Sequence, residues 1–106
     1  MKIKVLKSKI HNAVVTDHNL NYDGSIGIDA DLIKAAHLSV YEKVHLLNID
    51  NGERLETYVI EGELKGEIGM NGPAALKMAV GHIVIIVSYA ILAPFKKSFC
   101  ATSSKF

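Results

Sequence analysis

Tryptophan is absent from this chain, cysteine occurs once, at Cys100, and proline only twice. A lone cysteine excludes an intrachain disulfide and any zinc site built on several thiolates, and it fits a reducing, cytoplasmic setting. Charge of one sign is also lacking: 12 Lys and Arg against 11 Asp and Glu leave a formal +1. That balance offers no basic excess to neutralise phosphates, so nucleic acid is not expected as a partner. The greasiest run, "IVIIVSYAILA" from Ile83 to Ala93, has 11 residues, against roughly 20 for a helix that crosses a bilayer. No membrane partner is expected, and the run suits a buried strand. The opening "MKIKVLKSKIH" is broken by lysines every two or three residues, so it lacks the continuous apolar centre of a signal peptide. What is present is a globular composition, 49% hydrophobic and 22% charged over 106 residues, enough for one domain with its own core. A chain this short buries a modest fraction of its surface, and oligomerisation would help it.

The first sixteen positions, "KIKVL" through "NAVVT", read as strand with a break near Ser8, and Lys9 and His11 share a face by parity. Asp23-Gly24 marks a turn. "IGIDADLIKAAHLSV" then switches to helical spacing, with Asp29 as N-cap and Leu32, Ile33 and Ala36 on one stripe, which predicts a helix of about two turns. "KVHLLNID" and "RLETYVIEG" flank Asn51-Gly52, a strong hairpin signal. Within "NGPAALKMAVGH", proline just inside the start and glycine just past the end predict a second short helix over 71–82. "HIVIIVSYAIL" predicts a strand buried on both faces, and the tail "APFKKSFCATSSKF" shows no period. Short strands, turns and two small helices point to a mainly β fold, a closed or nearly closed barrel.

Familiar site motifs are missing. His11, His18, His37, His45 and His82 form no HExxH, so no metal is expected. "GSIGID" and "GELKGEIG" match neither nucleotide-binding glycine loop, and Ser25 in "DGSIG" is not the GxSxG elbow of serine hydrolases. A cluster of anion-binding and reactive types remains on predicted strands: Lys9, His11, Tyr22, Arg54, Thr57 and Tyr58. On a regular strand Arg54 and Tyr58 share a face while Thr57 points the other way, so one site takes all three only with a bulge or at a subunit interface.

"KSKIH" at 7–11, "LNYDGSIGID" at 20–29, "NGERLETYVI" at 51–60 and "NGPAALKMAVGHIVII" at 71–86 closely resemble the pyruvoyl-dependent aspartate 1-decarboxylases, in order and in spacing, over residues 1–92. The resemblance implies a double-psi β-barrel, with two short helices, assembled as a homotetramer with active sites between subunits. It implies a proenzyme that cuts itself at Gly24-Ser25 into a β chain, 1–24, and an α chain, 25–106. Serine suits that chemistry because its hydroxyl can attack the preceding carbonyl to give an ester, and β-elimination then leaves a group that hydrolyses to pyruvoyl. Glycine before it would permit the unusual torsions of a strained turn. By the same resemblance Thr57 donates to the developing oxyanion. Cleavage is spontaneous in some family members and helped by a maturation factor in others.

The covalent pyruvoyl group made from Ser25 would replace pyridoxal phosphate, form a Schiff base with L-aspartate and take up electrons as CO2 leaves, with Tyr58 as proton donor. The product, β-alanine, would feed pantothenate and coenzyme A synthesis. Two substrate carboxylates call for cations, which Arg54 and Lys9 supply. The resemblance adds His11, Tyr22 and Thr57 to the pocket, with Asn71 and the backbone of Gly72, Pro73 and Ala74 on the substrate. Pro73 departs from the family's Asn-Gly-Ala-Ala and removes one backbone donor, and the polar tail departs from the family's strand-like ending. Two rivals stand beside this reading: a non-enzymatic small-barrel binding module, which stays uncut, and a self-cleaving decarboxylase of another acidic amino acid.

Overall fold

A computed structural model of the chain describes residues 1–19, 23–93 and, as backbone alone, 102–105. Its elements are β1 (Ile3–Val14), β2 (Asp17–Asn19), β3 (Ser25–Ile28), α1 (Ala30–Ala35), β4 (Lys43–Asn48), β5 (Arg54–Glu61), β6 (Ile68–Asn71), α2 (Ala74–Lys77), β7 (Ile83–Leu92) and β8 (Thr102–Lys105). The strands follow the order β2-β6-β3-β5-β4-β7-β1-β8. Three neighbouring pairs, β2–β6, β3–β5 and β1–β8, are parallel. The result is a mainly β, double-psi barrel-like fold with two short helices. Among the described residues the edge strands β2 and β8 do not pair with each other, so hydrogen bonding leaves the ring open.

The alternation of β1 and β7 builds the centre. Ile10 of β1 and Val84 and Ile86 of β7 are buried, facing Val44 and Leu46 of β4 and Val59 of β5. The break expected near Ser8 is a register shift between Leu6 and Ser8, followed by a second between Ile10 and Ala13. The β4–β5 hairpin forms as expected, with Gly52 at φ 74, where glycine avoids the Cβ penalty. Asp29 caps α1, its carboxylate accepting from the Asp31 N–H, and Leu32 and Ala36 face the core.

Four expectations need correction. Residues 26–28, which open the stretch read for helical spacing, are strand: all of β3 is buried between β5 and β6, and it pairs along both edges. The second helix is a single turn over Ala74–Lys77, with Pro73 at its N-cap position and Met78 already extended, so Gly81 shapes the later turn into β7 instead of capping a helix. Strand β7 is covered on both faces only as far as Ser88, for Tyr89 and Ile91 are exposed beyond it. The tail contains β8, which runs parallel to β1 with Ser8 opposite Thr102. Residues 94–101 and 106 of that tail lie outside the described residues.

Candidate active site

Strand β3 starts at Ser25, and its pairing with β5 starts one residue later, at Ile26 opposite Val59. The edge of β5 that faces β3 is therefore open over the residues before Val59. A cleft of about 370 Å3 lies there, lined by Gly24, Leu55, Glu56, Thr57, Tyr58, Pro73, Ala74 and Lys77, within the usual size of small-ligand sites. Because the strand meets this cleft edge-on, residues from both of its faces border it. The β4–β5 ladder runs without a register shift from Tyr58 to Arg54, so no bulge is involved. Thr57 and Tyr58 share the cleft without one, while Arg54 is not part of its lining.

Ser25 is 7% exposed. Its Oγ accepts from Asn71 Nδ2 at 3.0 Å and donates to the Asp23 carbonyl at 3.2 Å, long for a hydroxyl bond. Asn71 faces Ser25 directly across the β3–β6 ladder, which fixes that contact. Thr57 is buried, yet its hydroxyl has no hydrogen-bond partner among the described residues and borders the cleft. Tyr58 is 52% exposed. Gly24 is bent but not at positive φ, and a Cβ placed there would meet only Pro73 Cδ, at 3.7 Å. Positive φ occurs instead at Gly72, at 63°, where the N–H donates to the Asn19 carbonyl at 2.8 Å.

Lys9 and His11 are half-buried on β1 and flank the buried Ile10, so they share a face as parity requires. They are not brought to the cleft. Lys9 stands opposite Val87, Val87 opposite His45, and His45 opposite Glu56. Three strand spacings of roughly 4.8 Å place Lys9 about 14 Å from β5 along the sheet. Arg54 is exposed, and neither Arg54 nor Lys9 has an ion pair among the described residues. Tyr22 lies outside the described residues. Among the described residues no group of three or more His, Cys, Asp or Glu could hold a metal, and no helix is long and apolar enough to cross a membrane.

Sequence reasoning missed Leu55, Glu56 and Lys77 in the lining. Lys77 was within reach of it, since it follows Ala74 by three and Pro73 by four, the spacing that puts side chains on one helical face. Its Nζ pairs with Glu53 at 3.3 Å, with both groups half exposed, an arrangement of small energetic value.

The model of the aspartate decarboxylase family matches residues 1–102. The aspartate 1-decarboxylase of Campylobacter fetus subsp. fetus (strain 82-40) is 58% identical over 103 residues, 96% of this chain and 90% of that protein. Its counterpart in Campylobacter concisus (strain 13826) is 60% identical over 98 residues, 92% of this chain and 84% of that protein. For the aspartate 1-decarboxylase of Helicobacter pylori (strain HPAG1) the identity is 54% over 90 residues, 85% of this chain and 78% of that protein. With its family's model matched over nearly its whole length and these relatives covered over 78% to 90% of theirs, the chain belongs to the aspartate decarboxylase family.

Proposed function

We propose that this chain decarboxylates L-aspartate to β-alanine and CO2, in the cytoplasm and in support of pantothenate synthesis, after cutting its single domain at Gly24-Ser25 into 1–24 and 25–106. The observation that carries the reading is the placement of Ser25. Its hydroxyl is buried and held by one firm and one long hydrogen bond, directly after Gly24, which lines the cleft together with Thr57. Release of the long bond to Asp23 frees Oγ to reach the Gly24 carbonyl carbon. In that step the Oγ–C bond forms and the C–N bond breaks, the hydroxyl proton ending on the freed Ser25 nitrogen. The free Thr57 hydroxyl donates to the carbonyl oxygen as it gains charge. β-Elimination then releases the Gly24 carboxylate, and hydrolysis expels ammonia.

These residues fit a covalent pyruvoyl group, because it would be made from Ser25, which directly follows the cleft-lining Gly24 and is held by Asn71. Such a group supplies an electron sink for the electrons left when the α-carboxylate departs. Tyr58 Oη, half exposed on the cleft wall, delivers the proton that the substrate Cα requires. Arg54 and Lys9, unpaired among the described residues, suit the two carboxylates. The distance of Lys9 from the cleft along one chain supports a site shared between subunits of the homotetramer that the family resemblance implies, with Lys9 and His11 of one subunit completing the site of another.

An intact mass spectrum under denaturing conditions tests this. The expected result is a fragment ending at Gly24 and a partner beginning at position 25 that is one ammonia lighter than a serine-started chain. A single species that stays uncut after heating or incubation with cell extract would refute the pyruvoyl reading and favour a binding module.

A further inference from the structure

The wall of the cleft formed by Pro73, Ala74 and Lys77 belongs to α2, a helix of one turn with no side-chain cap at its start. One turn is too short to persist by itself. Something else must fix it, and the polar contacts at its far end show what does. The Lys77 carbonyl, at the end of α2, accepts from Asn48 Nδ2 at 3.0 Å and from Asn51 Nδ2 at 2.9 Å. Both asparagines belong to the β4–β5 hairpin.

Asn48 is 3% exposed, and every polar position of its side chain is used. Its Oδ1 accepts from the Asp50 N–H at 2.9 Å, which fixes the orientation of the amide. The two Nδ2 hydrogens then go to the Lys77 carbonyl and to His82 Nδ1, the latter at 2.9 Å. His82 Nδ1 also accepts from the Ala79 N–H at 3.2 Å, so two donors converge on it and the ring proton belongs on Nε2. A buried amide and an imidazole thus bind the end of α2 and the turn that follows to the end of β4. Of this network only Lys77 lines the cleft; neither Asn48 nor His82 does.

We propose that Asn48 and His82 are positioning residues: they hold α2 at its last carbonyl and so set where Pro73 and Ala74 stand against bound L-aspartate. The inference rests on the cleft being the substrate site. Loss of the clamp leaves Thr57 and Tyr58, which line the cleft from β5, unchanged and lets the α2 wall drift. Small displacements of a positioning wall are felt strongly in turnover.

Steady-state kinetics on L-aspartate, normalised to pyruvoyl content and measured well below each melting temperature, test it with four variants. Asn48→Ala and His82→Leu are each expected to lower kcat/KM about tenfold, mainly through KM, and to show no further loss when combined. His82→Asn, which keeps an acceptor at the Nδ1 position, is expected to retain the wild-type KM. Ser8→Ala, which breaks the buried Ser8–Ser88 hydroxyl pair on the other side of the core, is expected to lower the melting temperature without moving KM. Should Asn48→Ala fail to fold, the two His82 variants carry the comparison alone. Unchanged KM in Asn48→Ala or His82→Leu overturns the proposal, as does an equal rise in His82→Leu and His82→Asn or in the Ser8→Ala control. A wild-type protein that neither cuts itself nor consumes aspartate would instead overturn the function on which the clamp depends.

Discussion

Replacing Thr57 by valine separates the cleavage chemistry from the fold. Thr57 is 6% exposed, and its hydroxyl has no hydrogen-bond partner among the described residues. Exchanging the hydroxyl for a methyl group therefore strands no buried donor or acceptor, and the cost to folding stays under about 1 kcal/mol. A donor lost from an oxyanion site costs far more, about 2.7–4 kcal/mol, or roughly 100- to 1000-fold in rate. The two magnitudes do not overlap, so a single variant decides between a packing role and a chemical one. The assay follows the fraction of intact chain against time by denaturing mass spectrometry, with melting measured in parallel by circular dichroism. Thr57→Val is expected to melt near the wild-type temperature and to remain almost wholly uncut while the wild type matures. Thr57→Ser, which restores a hydroxyl, is expected to recover most of the rate. Cleavage of Thr57→Val within about threefold of wild type would refute the oxyanion role, because about 0.7 kcal/mol is too little for a donor aimed at developing charge.

Tyr58→Phe is expected to mature normally yet turn over about 100- to 10,000-fold more slowly, the usual contribution of a positioned proton donor; wild-type turnover would remove the phenol from that role. Arg54→Ala is expected to raise KM for L-aspartate roughly 10- to 100-fold, as loss of a charge-assisted contact does, with self-cleavage unaffected. Asp29 contributes to the acid limb of stability. The Gly66 N–H at 2.6 Å holds its carboxyl below the ordinary 3.8, the Asp31 N–H and the nearby Lys65 add to that, and burial opposes it. A depressed folded-state value means that this stabilisation is complete above pH 3.8 and is lost as pH falls below it. Asp29→Ala is therefore expected to melt lower at neutral pH and to lose less than wild type between pH 4 and pH 2, which thermal scans across that range would check.

Much of this architecture was legible in the chain because its signals are local. Alternation marked β1 and β4, Asn51-Gly52 marked the hairpin, and Asp29 before Leu32 and Ala36 marked α1. The short strands β2, β3 and β6 were not legible, since "DHN", "SIGI" and "IGMN" become strands only through partners far away in sequence. Their glycines illustrate the difficulty. A Cβ on Gly27 or Gly62 would stand 2.7 or 2.8 Å from Glu67 Oε2, so both positions make room for a carboxylate whose other oxygen accepts from the Glu63 and Leu64 N–H groups. No short-range pattern announces such a contact. The candidate site divides in the same way: Thr57, Tyr58 and Gly24 could be named from motifs, whereas Lys77 enters through the position of α2. The parity conflict on β5 was real, but the open strand edge beside Ser25 brings Thr57 and Tyr58 to one cleft, which periodicity alone cannot reveal.

Self-cleavage demands a bond whose two sides stay in place after it is broken, and the topology around Gly24-Ser25 meets that demand. Upstream, β1 is bound along β7 from Ile3 opposite Leu92 to Val14 opposite Ile83, and it buries Ile10. Val15 beyond it is buried as well, and two such side chains contribute roughly 1.5–3 kcal/mol each. The strand β2 then pairs with one edge of β6, while β3, downstream of the bond, pairs with the other edge of β6 and with β5. The bond proposed to be cut thus lies between two strands that flank a common neighbour and do not pair with each other. Breaking it leaves residue 25 at the head of a strand buried along its whole length. An exposed Gly24 before a buried Ser25 gives the departing carboxylate a route to water while the new chain end stays beside Asn71 and the cleft. A cut in the middle of β1 or β3 would sacrifice paired backbone, whereas this bend sets an exposed residue before the bond and a buried one after it.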